Sequence, residues 1–247
     1  MGDKYPRAHI CLMLMTKRFW EIDFARGLAV VLMVLFNYAF ALDYLQIYKI
    51  TDGWVFWWLF PRIVAGTFIF LAGLSLTISY SKNKGWRKHA KRGLKIFGCG
   101  LLITFVTLIA LPGGAILFGI LHLIGISIIF GIFFIRFRKL NLLLGVALIA
   151  VGFYLESFIF GFPWLLWLGF VPQGFYTLDY FPMMPWFGVF LLGIYFGNRF
   201  YKNGKTRIKQ KPLIGSILFC FLGRHSLLIY LVHQPILIAA LHLIGLL

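Results

Sequence analysis

The chain alternates long apolar runs with short polar, mostly basic stretches. Runs of near-spanning length fit at about 25–45, 54–80, 94–111, 115–135, 140–160, 182–198 and 224–246, each close to the ~17–25 residues that carry an α-helix across a bilayer. The pattern predicts an all-α, polytopic transmembrane helical bundle of about seven spans. The run at 54–80 is the longest and must tilt or protrude. Two apolar stretches fall outside this set. Phe158–Leu178 is aromatic and broken by prolines. A full span there would invert the basic loop that follows, so it reads as a re-entrant or interfacial segment. Pro212–Leu222 together with 224–246 exceeds one span. Gly223-Arg224 is therefore read as the break between a short interfacial helix and the last span.

Composition agrees with this class. The 247 residues are 61% hydrophobic with mean hydropathy +0.90, more apolar surface than a soluble domain of that length can hide. The net charge of +17 raises nucleic acid as a partner, but its distribution excludes it. Of the 24 Lys and Arg, 22 fall in the segment up to Arg26, in Lys82–Lys95, Arg136–Lys139 and Arg199–Lys211, and at Arg224. These segments alternate with apolar runs, as cytoplasmic loops do under the positive-inside rule; no single basic stripe forms. Seven spans with a cytoplasmic N-terminus put every basic loop inside and describe a multi-pass protein of the cell (cytoplasmic) membrane. Residues 1–16 read as an arm of doubtful origin, and Met13 or Met15 could equally begin the chain. Residues 17–247 read as one transmembrane domain. Cys11, Cys99 and Cys220 lack metal spacing and read as small apolar residues. His225 and His233 lie two turns apart, so no metal is expected.

The candidate chemistry lies in polar residues at membrane depth. An ionisable group inside a span costs roughly 2.5–3.5 kcal/mol and usually faces a cavity or a partner. Asn37, Arg62, His122 and His233 all fall at or outside the expected midplane of their spans. Arg26 and Asn37, eleven residues apart, share a helix face about 16 Å apart. Arg62, Gly66, Gly73 and Thr77 share another; Gly119, His122 and Gly125 cluster on a third; Ser226, Tyr230 and His233 on a fourth. These stripes suggest a lined cavity. Each residue also has a plainer role. An Asn or His can tie two helices together, Arg62 can snorkel or pair with Asp43 or Asp52, and Asp23 with Arg26 can be a helix-end pair.

Five ordered motifs, "RFWEIDFARGLAVVLMVLFNY", "FIFLAGLSLTISYSK", "FGILHLIGIS", "DYFPMMPWFGVFLLGIYFG" and "GRHSLLIYLVHQPIL", resemble the prokaryotic branch of the heparan-α-glucosaminide N-acetyltransferase catalytic-domain family, from about Lys17 to Pro235. The resemblance implies a transmembrane acyltransferase that takes an acetyl group from cytosolic acetyl-CoA. It delivers that group to an amino or hydroxyl group of a sugar or glycoconjugate acceptor on the far side. The opening motif also resembles the Arg-x10-His signature of the broader membrane acyltransferases. Arg26 matches its arginine, and Asn37 stands at its histidine. Human-type relatives also have an Asn there and carry their catalytic His in the following outer loop. This chain has no histidine between His9 and His89. Asn37 can hydrogen-bond a thioester or substrate oxygen but cannot serve as a base near neutral pH.

The expected site therefore takes His122 or His233 as proton acceptor, since imidazole titrates near neutral pH. Of the two, His122 ranks first, because Gly119 and Gly125 leave room beside it. Asn37 and Arg62 would orient the reactants or stabilise an oxyanion. Arg26 with Asp23 would lie on the acetyl-CoA side, and Arg62, Asp179 and Tyr230 on the acceptor side. The expected partners are the lipid bilayer, acetyl-CoA and the acceptor, and a homo-oligomer stays open. Two other readings fit the same residues: a small-solute transporter, and a non-catalytic relative that kept the fold.

Overall fold

A computed structural model describes residues 19–49, 53–110, 114–202, 205–206, 216–243 and 245. The expectations for residues 1–16 lie outside them. Each of the expected apolar runs holds a helix: α1 (Trp20–Tyr44), α2 (Phe60–Lys82), α3 (Trp86–Ala110), α4 (Ile120–Phe134), α5 (Arg138–Leu155), α6 (Met183–Phe200), α7 (Ser216–Arg224) and α8 (Ser226–Leu243). A short hairpin pairs β1 (Tyr201–Lys202) with β2 (Lys205–Thr206). Glu21 and Asp23 in the first turn of α1 suit the positive end of the helix dipole. Pro61 has no N–H to give the preceding turn, and just before it Val55–Leu59 widens into a π-helical turn closed by Phe60 N–H on Val55 O.

All seven expected runs contain a helix, but five of them are long and apolar enough to cross a membrane: α1, the continuous Val55–Lys82, α3, α5 and α8. The other two need correction. The helix in 115–135 is α4, with 15 residues, or about 22 Å, short of the ~30 Å hydrocarbon core. The helix in 182–198 is α6, with 18 residues and non-helical backbone at Met184. The segment between α5 and α6 is irregular, with one 3-10 turn at Leu166–Leu168 and a bridge between Phe160 and Pro172. Gly223-Arg224 does end a short helix, and the chain turns at His225 into α8.

The chain divides into two compact units, Met1–Phe68 with Lys209–Leu247, and Ile69–Ile208. In the first unit, α1 and α7 cross tightly and antiparallel. A Cβ on Gly27 would meet the Phe219 backbone carbonyl, and one on Gly223 the Asp23 carbonyl. α8 runs parallel to α1: Arg224, the last residue of α7, pairs with Asp23 where α8 is about to begin, and Gln234 of α8 bonds Asn37 further along. Phe36 of α1 packs against Phe56, Trp57 and Phe60 at the start of α2.

In the second unit the helices alternate in direction. Gly93 meets Gly125 and Gly100 meets His122, so α3 and α4 are antiparallel; Gly145 meets Gly188 and Gly152 meets Pro185, so α5 and α6 are antiparallel. The rest of α2 lies parallel to α6. Gly73 lies against Phe190 O, Gly193 against Phe70 O and Gly197 against Thr77. Where the solvent offers no hydrogen bonds, such close approach is how helices gain contact. Gly73 and Thr77, expected to line a cavity, instead form this seam. Thr77 Oγ1 donates to its own helix at Gly73 O (3.2 Å).

Candidate functional site

The two intramembrane histidines sit in different units and differ in what their nitrogens touch. His122 is the third residue of α4 and 2% exposed. Its Nδ1 accepts the N–H of Gly119, the residue capping that helix (3.2 Å). That leaves the proton on Nε2, which lies 3.4 Å from Thr104 Oγ1 of α3. Thr104 in turn donates to Ile116 O (2.5 Å). The neighbouring backbone is clamped likewise. Ile116 N–H donates to Thr107 Oγ1 (3.1 Å), Thr177 Oγ1 to Ala115 O (2.7 Å), and Ile120 N–H to Asp179 Oδ2 (3.2 Å).

This explains why 115–119 is not helical although its composition is. Extended backbone in an apolar setting needs a partner for each polar group, and Thr104, Thr107, Thr177, Asp179 and His122 supply them. The room expected beside His122 is filled. The Asp179 carboxylate occupies the place a Gly119 side chain would take, and Gly125 packs on Gly93 and Phe97. Asp179 thus caps a helix N-terminus. Outside the spans, Tyr180 donates its hydroxyl to Leu166 O (2.6 Å), and burial raises its pKa above the ordinary tyrosine value.

His233 has the opposite arrangement. It is buried on α8, and its Nδ1 lies 2.8 Å from Tyr230 O and 3.2 Å from Ile229 O. Both are acceptors, so Nδ1 carries the proton and Nε2 keeps its lone pair. Nε2 is buried and meets no hydrogen-bond partner among the described residues. The Tyr230 ring lies 5.7 Å from the imidazole, centroid to centroid. Pro235 has no N–H for the Leu231 carbonyl, which loosens α8 just past the histidine.

The residue after His233 joins it to α1. Gln234 Nε2 donates to Asn37 Oδ1 (2.9 Å), and Asn37 Nδ2 donates to Met33 O (2.9 Å). Asn37 is therefore an interhelical tie that fixes the height of His233. Sequence reading missed Gln234. Its signal was weak: a polar residue beside a histidine in an apolar run.

At the other end of α1, the buried Asp23 lies between two guanidinium groups, Arg224 Nε at 3.2 Å and Arg26 Nη1 at 3.9 Å. Arg224, also missed, leaves a buried Nη2 with no partner among the described residues. Arg62 lies over the Trp58 ring (4.2 Å) and donates from Nη1 to Trp58 O (3.2 Å); Trp58 in turn stacks on Trp54 at 4.6 Å. Asn37, His233, Tyr230, Asp23, Arg26 and Arg62 thus belong to the first unit, and His122 with Asp179 to the second.

Long apolar helices joined by small-residue seams, with polar groups at membrane depth, define a multi-pass helical membrane protein. The chain belongs to the heparan-alpha-glucosaminide N-acetyltransferase catalytic-domain family, whose model, described as "Heparan-alpha-glucosaminide N-acetyltransferase, catalytic", matches residues 18–235. That membership points to membrane acetyltransferase activity. No curated protein and no solved structure matches the chain.

Proposed function

We propose that the chain transfers an acetyl group from acetyl-CoA, entering at the cytoplasmic side of the cell membrane, to an amino or hydroxyl group of a sugar-like acceptor at the outer face. His233 is the proton acceptor in this reading. The acceptor nitrogen or oxygen attacks the thioester carbonyl carbon and its proton passes to His233 Nε2. The carbon–sulfur bond breaks, and the imidazolium returns the proton to the CoA thiolate. The Nδ1–H contacts with Tyr230 and Ile229 carbonyls hold the tautomer that the base needs. Asn37, through Gln234, is a positioning residue. Arg26 and Arg224 at Asp23 offer guanidinium groups whose planar fork suits the phosphates of CoA.

The observation that carries the assignment is the buried Nε2 of His233, which has no hydrogen-bond partner among the described residues. The test uses purified protein and radiolabelled acetyl-CoA, with amino sugars as acceptors. Wild type is expected to bind acetyl-CoA and label an acceptor. His233→Ala should transfer ~10²–10⁴-fold more slowly with unchanged acetyl-CoA affinity, the range for losing a general base. A wild type that neither binds nor consumes acetyl-CoA, yet carries solute flux in liposomes, would replace this reading with transport.

A further inference from the structure

The exposed face of α3 changes character along its length. Leu94, Leu102, Phe105 and Ile109 are exposed and lie within about 40° of one direction at 100° per residue. Gly93 and Gly100 on the opposite face meet Gly125 and His122 of α4. The apolar stripe is thus the lipid-facing side. From Leu94 to Ala110 it spans ~25 Å, most of a ~30 Å hydrocarbon core.

The same stripe continues toward the helix start as Arg87 and Lys91, with Lys95 and Lys88 along its edge, all exposed. They stand at the end of the stripe, where long Lys and Arg side chains reach toward the lipid phosphates. Trp86, also exposed, precedes them, with the Arg87 guanidinium 5.7 Å from its ring, as interfacial tryptophans sit.

Among the described residues of the second unit, no acidic side chain lies at this end. Between Asp52 and Glu156 the sequence has no acidic residue. The two acids of the second unit lie at its other end, Glu156 capping the C-terminus of α5 and Asp179 the N-terminus of α4. Both ion pairs found among the described residues involve Asp23 of the first unit.

We propose that Arg87, Lys88, Lys91 and Lys95 form a docking surface for anionic lipid headgroups in the leaflet at this end of the bundle. General positive-inside bias needs only charge in the loop. This surface places its charges on the one helix face that is already turned to lipid, so phosphates reach them without leaving the bilayer.

The full chain is reconstituted in nanodiscs of equal phosphatidylglycerol and phosphatidylcholine, and co-purifying lipid is measured by native mass spectrometry. Wild type should retain phosphatidylglycerol preferentially. Changing all four residues to Gln should cut that enrichment at least ~10-fold, since each cation near the surface contributes roughly fivefold. Exchanging Lys for Arg and Arg for Lys at the four sites should keep it, and soluble glycerol 3-phosphate should not displace the lipid. If the Gln variant does not insert, wild type is measured from ~0.05 to ~0.5 M salt, where enrichment should fall as the Debye length shortens. The proposal is overturned by equal retention of both lipids in wild type, by undiminished enrichment in the Gln variant or at high salt, or by displacement with glycerol 3-phosphate, which would mark a free-anion site.

Discussion

His122 and His233 look alike in the sequence, each a lone histidine in an apolar run. Their ring nitrogens separate them. His122 has both engaged, by Gly119 and Thr104, whereas His233 keeps one lone pair buried and open. His122→Leu should therefore act on stability. It strands the Gly119 N–H, a buried donor whose loss of partner costs ~1–3 kcal/mol. Thermal unfolding in detergent should show a lowered midpoint, while the folded fraction keeps a transfer rate within about tenfold of wild type. An unchanged midpoint with a ~10³-fold slower rate would return the base to His122. Asn37 was legible as a polar slot, yet its partner was not, because Gln234 is 197 residues away. No local pattern announces such a pairing.

Among the elements, helix existence was legible wherever apolar runs were long. Their ends were less so. The run at 115–135 loses its first residues to extended backbone, since distant threonines and Asp179 satisfy it there. Small-residue stripes were visible too, but a stripe does not say whether a ligand or a helix fills it; at Gly73 and Gly193 it is a helix. The α1–α7 crossing makes this testable. Gly223→Ala would drive a Cβ into the Asp23 carbonyl, while a Cβ on Gly98 meets nothing within 4 Å. The first change should destabilise by ~1–3 kcal/mol, and Gly98→Ala should be neutral or slightly stabilising. Equal unfolding midpoints for the two variants would remove the crossing as a source of stability.

For the whole molecule, the basic segments set an orientation that the alternating helix directions within each unit accommodate. In a cysteine-free background, Asn83→Cys should be protected from an impermeant thiol reagent added outside intact cells, and Gln173→Cys labelled. Both residues are exposed in the fold, so protection reports the membrane and not burial. Labelling at Asn83 alone would reverse the orientation, and labelling at both would mean that an even number of spans lies between them. The helical class was plain from composition. The number of described helices long and apolar enough to cross was not, because α4 gives up the start of its run to extended backbone and α6 carries Asn198 and Arg199 near its end.

The Trp54–Trp58 stack under Arg62 also gives the protein an optical signature. Two indoles 4.6 Å apart and inclined by 18° couple their electronic transitions. Near-ultraviolet circular dichroism should therefore carry an exciton contribution that Trp58→Phe removes and Arg62→Gln alters. This end of the molecule then reports its own geometry without a label, and a ligand settling beside it would register as a change in that signal.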